Sequence, residues 1–420
     1  MGSTLPYDGL KMVLEYLDPN RRILLAKYAP SIRATEKIVP LRVDRLIIDH
    51  DYIITVNDVT YRMGIHHGPV DEEELPALHA ENEEGGVLHD LNVHGFEDEY
   101  PVFEKTPGDV FLARIWPTRP VDQWMIGFHK DISMTEELMI RMRQHAGDPS
   151  NDDDMREFFK NGANKRHHEL YPYLNFRYNK QPHQTIHLTT STFGRRGTSV
   201  HEYDMKLPVA MKKLNHIFFG DRAQVVRVGF FYPGLPLKVL RLPNQFAFRI
   251  STLKVDSPSV FPMLEPIFDK SGGPMDSVEV PLEIKYGGNI VYTCQKLILT
   301  SYFSDIDKLK AFIKLPNKEV YLTDAELDFG SDEAKQLIEH WQEHGKPVGT
   351  CFFVCMEQAQ CTQVMRALAE HFGEQFLDEK LTLPISYNSE LEICYEMGSP
   401  RQGIEEKNYL KLLVAEKVNA

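Results

Sequence analysis

Val225–Phe231 (VVRVGFF), Ile250–Val255 (ISTLKV), Val278–Leu282 (VEVPL), Lys296–Leu299 (KLIL), Glu319–Leu322 (EVYL) and Cys351–Val354 (CFFV) are short strand-like phrases, and together they decide the fold. Each is rich in β-branched, leucine or aromatic residues, and each gives way to a polar turn and then to helical apolar spacing. Their starts lie 25, 28, 18, 23 and 32 residues apart. Leucine-rich solenoids repeat every ~20 to 29 residues, so the intervals bracket that period, with the last one stretched. One strand plus one helix cannot bury its own apolar face, so such units stack until the core is continuous. The expectation is an α/β chain with a leucine-rich-repeat-like solenoid over residues 207–400 and a separate C-terminal segment at 401–420.

At the head of the array, Leu207–Phe219 has helical apolar spacing, with Pro208 suited to a first turn and Gly220 to a C-terminal cap. Before it stand two strands, Thr185–Thr190 and Ser199–Met205, joined by the turn Gly194–Gly197. Period-two alternation through Leu46, Ile48, Ile54, Val56, Val59, Tyr61 and Met63, broken by Asn57-Asp58, predicts a hairpin over 42–65. Residues 42–206 are therefore read as a β-rich region. It carries a helical insertion at 131–165, begun by Leu138, Met139, Met142 and His145 at three and four spacing. Residues 1–41 read as a helical module with two amphipathic stretches, interrupted at Asp18-Pro19 and ended at Pro30.

Charge is unevenly placed. The net charge is -14, and Met63–Glu104 holds twelve Asp and Glu residues without a single Lys or Arg. That stretch is rich in Gly, Pro, Asn and Asp and lacks periodicity, so residues 66–105 are expected to form a long acidic loop. An acidic chain lacks the clustered positive field that phosphate backbones require, which argues against a nucleic-acid partner. With no run of 18 apolar residues and no basic-then-apolar leader, neither a membrane span nor a membrane partner is expected. Five cysteines, an odd count, and no Asn-x-Ser/Thr sequon point to free thiols and a cytoplasmic or nuclear location.

Three groupings invite chemistry. His66, His67, His79, His89 and His94 sit among the carboxylates of the acidic stretch, but their spacing matches no closed metal site, and none is assigned. Alternation places Cys351, Phe353 and Cys355 on one face of a strand, as buried small apolar residues. Asp276 with Glu283 and Lys285 has the composition of a metal-dependent nuclease core, yet Glu-x-Lys recurs by chance and exposed charges on a strand account for it. No phosphate loop, nucleophile elbow or His-Glu-x-x-His helix occurs. No catalytic residue or cofactor is expected.

Leu5-Pro6, Leu10, Val13-Leu14, Tyr16-Leu17, Asp18-Pro19, Arg22, Leu24-Leu25 and Tyr28 together resemble an F-box, the short helical motif that docks a Skp-type adaptor of cullin-based ubiquitin ligases. Pro30-Ser31-Ile32-Arg33, Leu214-Asn215 with Phe218-Phe219-Gly220, and Leu240-Arg241-Leu242-Pro243 are similar to phrases of the nematode-expanded F-box-associated families. Val320-Tyr321-Leu322 through Trp341 resembles the helix-bearing unit of their degenerate repeats. The chain departs from the pattern at Ala29-Pro30-Ser31, where an F-box continues with a basic, Trp-containing helix end.

The resemblance implies a non-enzymatic substrate-recognition protein. Leu5, Pro6, Leu10, Val13, Leu14, Leu17 and Pro19 would dock the adaptor by helix-in-groove recognition, and the array would capture an unknown target protein for ubiquitination. Two other readings compete with it. One is an interaction scaffold whose N-terminal helices merely cap the array, and the other a metal-dependent hydrolase using the histidines of 66–104 or Glu283 and Lys285.

Overall fold

The computed structural model describes residues 7–68, 76–98 and 105–112, scattered positions between 137 and 175, and residues 178–234, 237–286, 289–300, 306–323, 329–377, 379–400 and 406–417. Leu5, Pro6 and most of the expected insertion at 131–165 lie outside the described residues. The elements begin with α1 (Tyr7–Tyr16), α2 (Pro19–Tyr28), α3 (Arg33–Ile38), β1 (Arg42–His50), β2 (Ile53–Val56), β3 (Val59–His67) and α4 (Pro76–Glu83). Then come β4 (Asp90–Leu91), β5 (Glu97–Asp98), β6 (Asp109–Phe111), β7 (Gln184–Thr192), β8 (Arg195–Glu202), α5 (Leu207–Phe219), β9 (Val226–Pro233) and β10 (Val239–Arg241). Next are β11 (Phe248–Lys254), α6 (Phe261–Leu264), β12 (Ser277–Val280), α7 (Ile290–Thr293), β13 (Lys296–Leu299), α8 (Ile306–Ile313) and β14 (Glu319–Leu322). The chain closes with α9 (Ser331–His344), β15 (Cys351–Cys355), α10 (Gln358–Phe372), β16 (Phe376–Leu377), β17 (Lys380–Pro384), β18 (Ser389–Gly398) and β19 (Lys407–Glu416). Two compact units result, one built from residues 1–39, 47–224 and 235–246, the other from 40–46, 225–234 and 247–420.

In the first unit the expected hairpin forms, with Val56 opposite Val59 and Asn57 at φ +52°, the left-handed conformation that a two-residue turn demands. β3 runs antiparallel to β7 from the Thr60–Ser191 pair to the His67–Gln184 pair, and β7 runs antiparallel to β8. Helix α5 forms as its spacing predicts and buries Leu207, Met211, Leu214 and Phe218 along one face. The acidic stretch differs from its expectation as one long loop, because it contains α4 and the β4–β5 pair. Polar side chains hold it. Asp90 accepts the Leu207 backbone N–H at 2.9 Å and the Tyr203 hydroxyl at 2.6 Å, so a distant carboxylate caps α5. Asn82 donates to the His67 carbonyl and accepts its N–H, while Asp109 accepts from Arg241 at 2.6 Å and Lys212 at 2.8 Å.

The second unit is a mixed α/β structure. Strands β9, β11, β12, β13, β14 and β15 are parallel neighbours in chain order, each continuing the register of the one before. The array does not run to residue 400 as expected. After β15 the sheet continues as β19, β18, β17 and β16, all antiparallel. The C-terminal segment is thus a strand seated between β15 and β18, and α5, expected at the head of the array, belongs to the first unit. Ten-residue partners with good alternation make β18 and β19 a hairpin, whose two strands need no crossover helix. Among the described residues no helix is long and apolar enough to cross a membrane.

The His66 and His187 rings stack at 3.2 Å on neighbouring strands of the first unit, and among the described residues neither His66 Nε2 nor His187 Nδ1 has a hydrogen-bond partner. Burial, followed by the nearby His187, Arg196 and His67, pushes His66 down to about 4, and His187 is lowered by burial as well. Their folded pKa values lie below the unfolded value of ~6.5, so the unfolded chain takes up protons first as pH falls. Stability is therefore full above pH ~6.5 and is lost as pH drops towards 4. A urea-denaturation series from pH 7.5 to 4.5 should show that loss, and His66→Gln should flatten it.

Candidate functional site

Glu36 organises the N-terminal helices. Asp18 accepts the backbone N–H groups of Asn20 and Arg21 at 3.0 and 3.3 Å, and with Pro19 in the first turn it fixes where α2 begins. Helix α2 then turns Pro19, Asn20, Arg22 and Ala26 inward. The Arg22 side chain is buried, donating to the Glu36 carboxylate at 2.8 Å and to the carbonyls of Leu14, Glu36 and Val39. Arg222, just beyond α5, donates to the same Glu36 oxygen at 2.9 Å. Burial lowers both guanidinium pKa values, Glu36 opposes it, and the pair shares one carboxylate. Asn20 adds a bond to the Val56 carbonyl at 2.9 Å and accepts one from the Tyr61 hydroxyl.

With polar groups taking the inner side of α2, large apolar groups are left outside. Met12, Val13 and Tyr16 stand exposed on α1, and Leu24, Leu25 and Tyr28 repeat the same spacing on α2. Tyr16 is 84% exposed and Tyr28 73%. Positions x, x+1 and x+4 share one helix side, so each helix presents a compact apolar triad. Tyr7 is exposed as well, with the Lys11 ammonium over its ring. Scattered apolar residues on a surface are ordinary, whereas grouped ones mark interaction sites.

The expected docking residues separate on this frame. Val13 is exposed, Leu10 and Leu17 are half-buried, and Leu14 and Pro19 are buried. Leu14, at 0% exposure, belongs to the interior of the module and not to its surface. Met12 was missed as an outward anchor, and Leu24, opposite Arg22 on α2, faces out because Arg22 faces in. Spacing alone carries no signal for that reversal.

The parallel sheet of the second unit buries both of its sides. Alternation sends Val320, Leu322, Phe352 and Val354 to one side, where Phe352 meets Trp341 of α9 at 5.0 Å and Phe312 of α8 at 5.2 Å. On the other side Lys254, Glu279, Ile298, Tyr321, Phe353 and Lys411 form one cross-strand row. Tyr321 stacks on Phe353 at 4.3 Å and Tyr409 meets Tyr321 edge-on at 5.6 Å. Ion pairs border this tier: Lys254–Glu279 at 2.7 Å, Lys296–Glu319 at 2.9 Å and Lys411–Glu396 at 2.6 Å. Burial pushes the Cys351 thiol up to about 12 and raises the Tyr321 hydroxyl too, so both stay protonated at neutral pH.

The other candidate groups stay apart. His79 pairs with Glu83 at 3.7 Å and His89 with Glu97 at 3.8 Å, and among the described residues no three His, Cys, Asp or Glu side chains converge as metal ligands. Glu283 and Lys285 lie in the bend after β12 and not on a strand.

A model of a protein family described as a domain of unknown function, DUF3557, matches residues 206–358, from the residue before α5 to the start of α10. No curated protein and no solved structure matches the chain.

Removing Glu36 would leave Arg22 and Arg222 buried without their carboxylate. Glu36→Ala is expected to cost about 3–5 kcal/mol in chemical denaturation, against a change within about 0.5 kcal/mol for Tyr16→Ala on the exposed side.

Proposed function

We propose that this protein is a substrate receptor of the F-box type. Its N-terminal helices dock a Skp-like adaptor, and its parallel strand array, read as a leucine-rich-like repeat, takes up a target protein for ubiquitination by other subunits. The observation that carries the reading is the pair of exposed apolar triads, Met12/Val13/Tyr16 and Leu24/Leu25/Tyr28, on helices whose inner sides are already satisfied. A helix that hides Arg22 and shows leucine and tyrosine has its apolar side available for a partner's groove. The resemblance of residues 5–28 to an F-box names the partner's class. Of the originally expected anchors, Leu10, Val13 and Leu17 remain on or near this surface, whereas Leu14 and Pro19 support it from within.

Target capture falls to the border of the strand array, where Lys254, Lys296, Glu319, Glu396 and Lys411 stay partly exposed around the buried Ile298, Tyr321, Phe353 and Tyr409. The competing reading, a scaffold without an adaptor, draws on Ala29-Pro30-Ser31, where α2 ends and the basic helix end of an F-box is replaced.

Co-expression with a Skp-type adaptor followed by size-exclusion chromatography separates the two. A one-to-one complex is expected, and Met12→Asp with Tyr16→Asp should weaken it at least tenfold, since interface anchors contribute about 2 kcal/mol or more each. Recovery of the adaptor with that double variant at the level of the unaltered protein would overturn the docking assignment. Absence of any complex would favour the scaffold.

A further inference from the structure

Helix α9 ends at Gly345, whose φ of +76° lets the chain leave sharply, with its N–H returned to the Trp341 carbonyl at 2.9 Å. Lys346 follows directly and folds back over the helix. Its Nζ lies 5.3 Å from the centre of the Trp341 ring and 5.1 Å from that of Phe352, and it donates to the Leu315 carbonyl at 2.5 Å. A shallow cavity of about 440 Å³ opens beside it, lined by Ile313, Leu315 and Pro316 on one side and by His340, His344 and Lys314 at the rim. No carboxylate lines this cavity, and among the described residues none pairs with Lys346. The site therefore combines an amine on an aromatic floor with a rim of Lys314, His340 and His344, the last paired with Glu343 at 3.8 Å.

The geometry points to Lys346 as a selectively reactive amine that forms an imine with a small anionic aldehyde seated in this cavity. A lysine acts as a nucleophile when it is desolvated and free of a counter-charge. Burial pushes Lys346 down to about 8, and the two aromatic faces, which favour the ammonium, act in the opposite direction. The neutral Nζ attacks the carbonyl carbon, the N–C bond forms, and the carbonyl electron pair moves to oxygen, which takes a proton from nitrogen. Loss of that oxygen as water, with the second N–H proton, leaves the C=N bond. No oxidant or reductant enters the step. The groups facing the amine are His340 and His344 of α9 and Lys314 after α8. Glu343 is exposed but pairs with His344 at 3.8 Å, and burial lowers His340, so Lys314 is the charge that favours an anion over a neutral or cationic aldehyde.

At pH 7.5 an amine of pKa about 8 has a neutral fraction about two orders of magnitude above that of an ordinary lysine near 10.4. Part of that advantage is offset by the lower nucleophilicity of a weaker base. The full chain should be treated with 4-carboxybenzaldehyde or benzaldehyde and cyanoborohydride, which traps the imine, and then mapped by tryptic mass spectrometry. Lys346 should be labelled at least tenfold faster than the median lysine, with a half-maximal rate near pH 8, and faster by the carboxylate-bearing aldehyde. Lys346→Arg should remove that label alone, and Lys314→Ala should reduce the preference for the anionic reagent. Labelling of Lys346 at or below the median rate with both reagents would overturn the assignment. Equal rates with the two would overturn the anionic class.

Discussion

One carboxylate holding two guanidiniums sets the orientation of the N-terminal module. Desolvating charges is expensive, and a buried ion pair is retained only where its geometry and additional hydrogen bonds are good. Glu36 meets that condition by receiving Arg22 and Arg222, while three backbone carbonyls take the remaining Arg22 donors. The consequence is rotational. With Arg22 inside, Leu24 on the opposite side of α2 lies outside and Leu25 on the flank stays partly exposed, so both are presented in place of being packed. A hydrophobic residue at position 22 would leave the helix free to turn its leucines inward, and the outer side would become polar.

The second unit rests on parity. Two phenylalanines adjacent in sequence, Phe352 and Phe353, have opposite duties: the first seals the helical layer with Trp341 and Phe312, the second joins Tyr321 and Tyr409 on the far side. A slip of one residue in β15 would exchange them, turning Phe353 against the helical layer and Phe352 away from Trp341 and Phe312. Cross-strand register carried through five parallel pairings makes such a slip costly, because every neighbour would have to move with it.

The parallel strands were legible because each is short, apolar and bounded by turn residues, and because their spacing recurs. The Asn57-Asp58 hairpin was legible for the same local reasons, and so was the existence of the second one, although its turn falls at Phe193-Gly194 and not at Gly194–Gly197, with β8 beginning at Arg195. Two kinds of feature were not. Elements held by long-range polar bonds, such as the acidic stretch tied down by Asp90 and Asn82, leave no periodic trace, since the partners of Asp90 sit more than a hundred residues away. The direction in which a helix faces is equally hidden when a buried arginine replaces the apolar stripe. β19 was missed because its place beside β15 is decided by pairing with β18, and not by its distance from the previous repeat.

The seat of β19 also bears on how the chain comes to be made. A ribosome releases β15 and its aromatic tier well before residues 407–416 exist, so the outer backbone groups of β15 stay unsatisfied through the synthesis of α10 and three further strands. Nascent sheets with a bare apolar margin are prone to sticking to other chains. Closure by a late strand makes maturation of this half all-or-none in time: holding factors would be needed until Glu416 has emerged, and a message cut short upstream of Lys407 would yield a product drawn into aggregates.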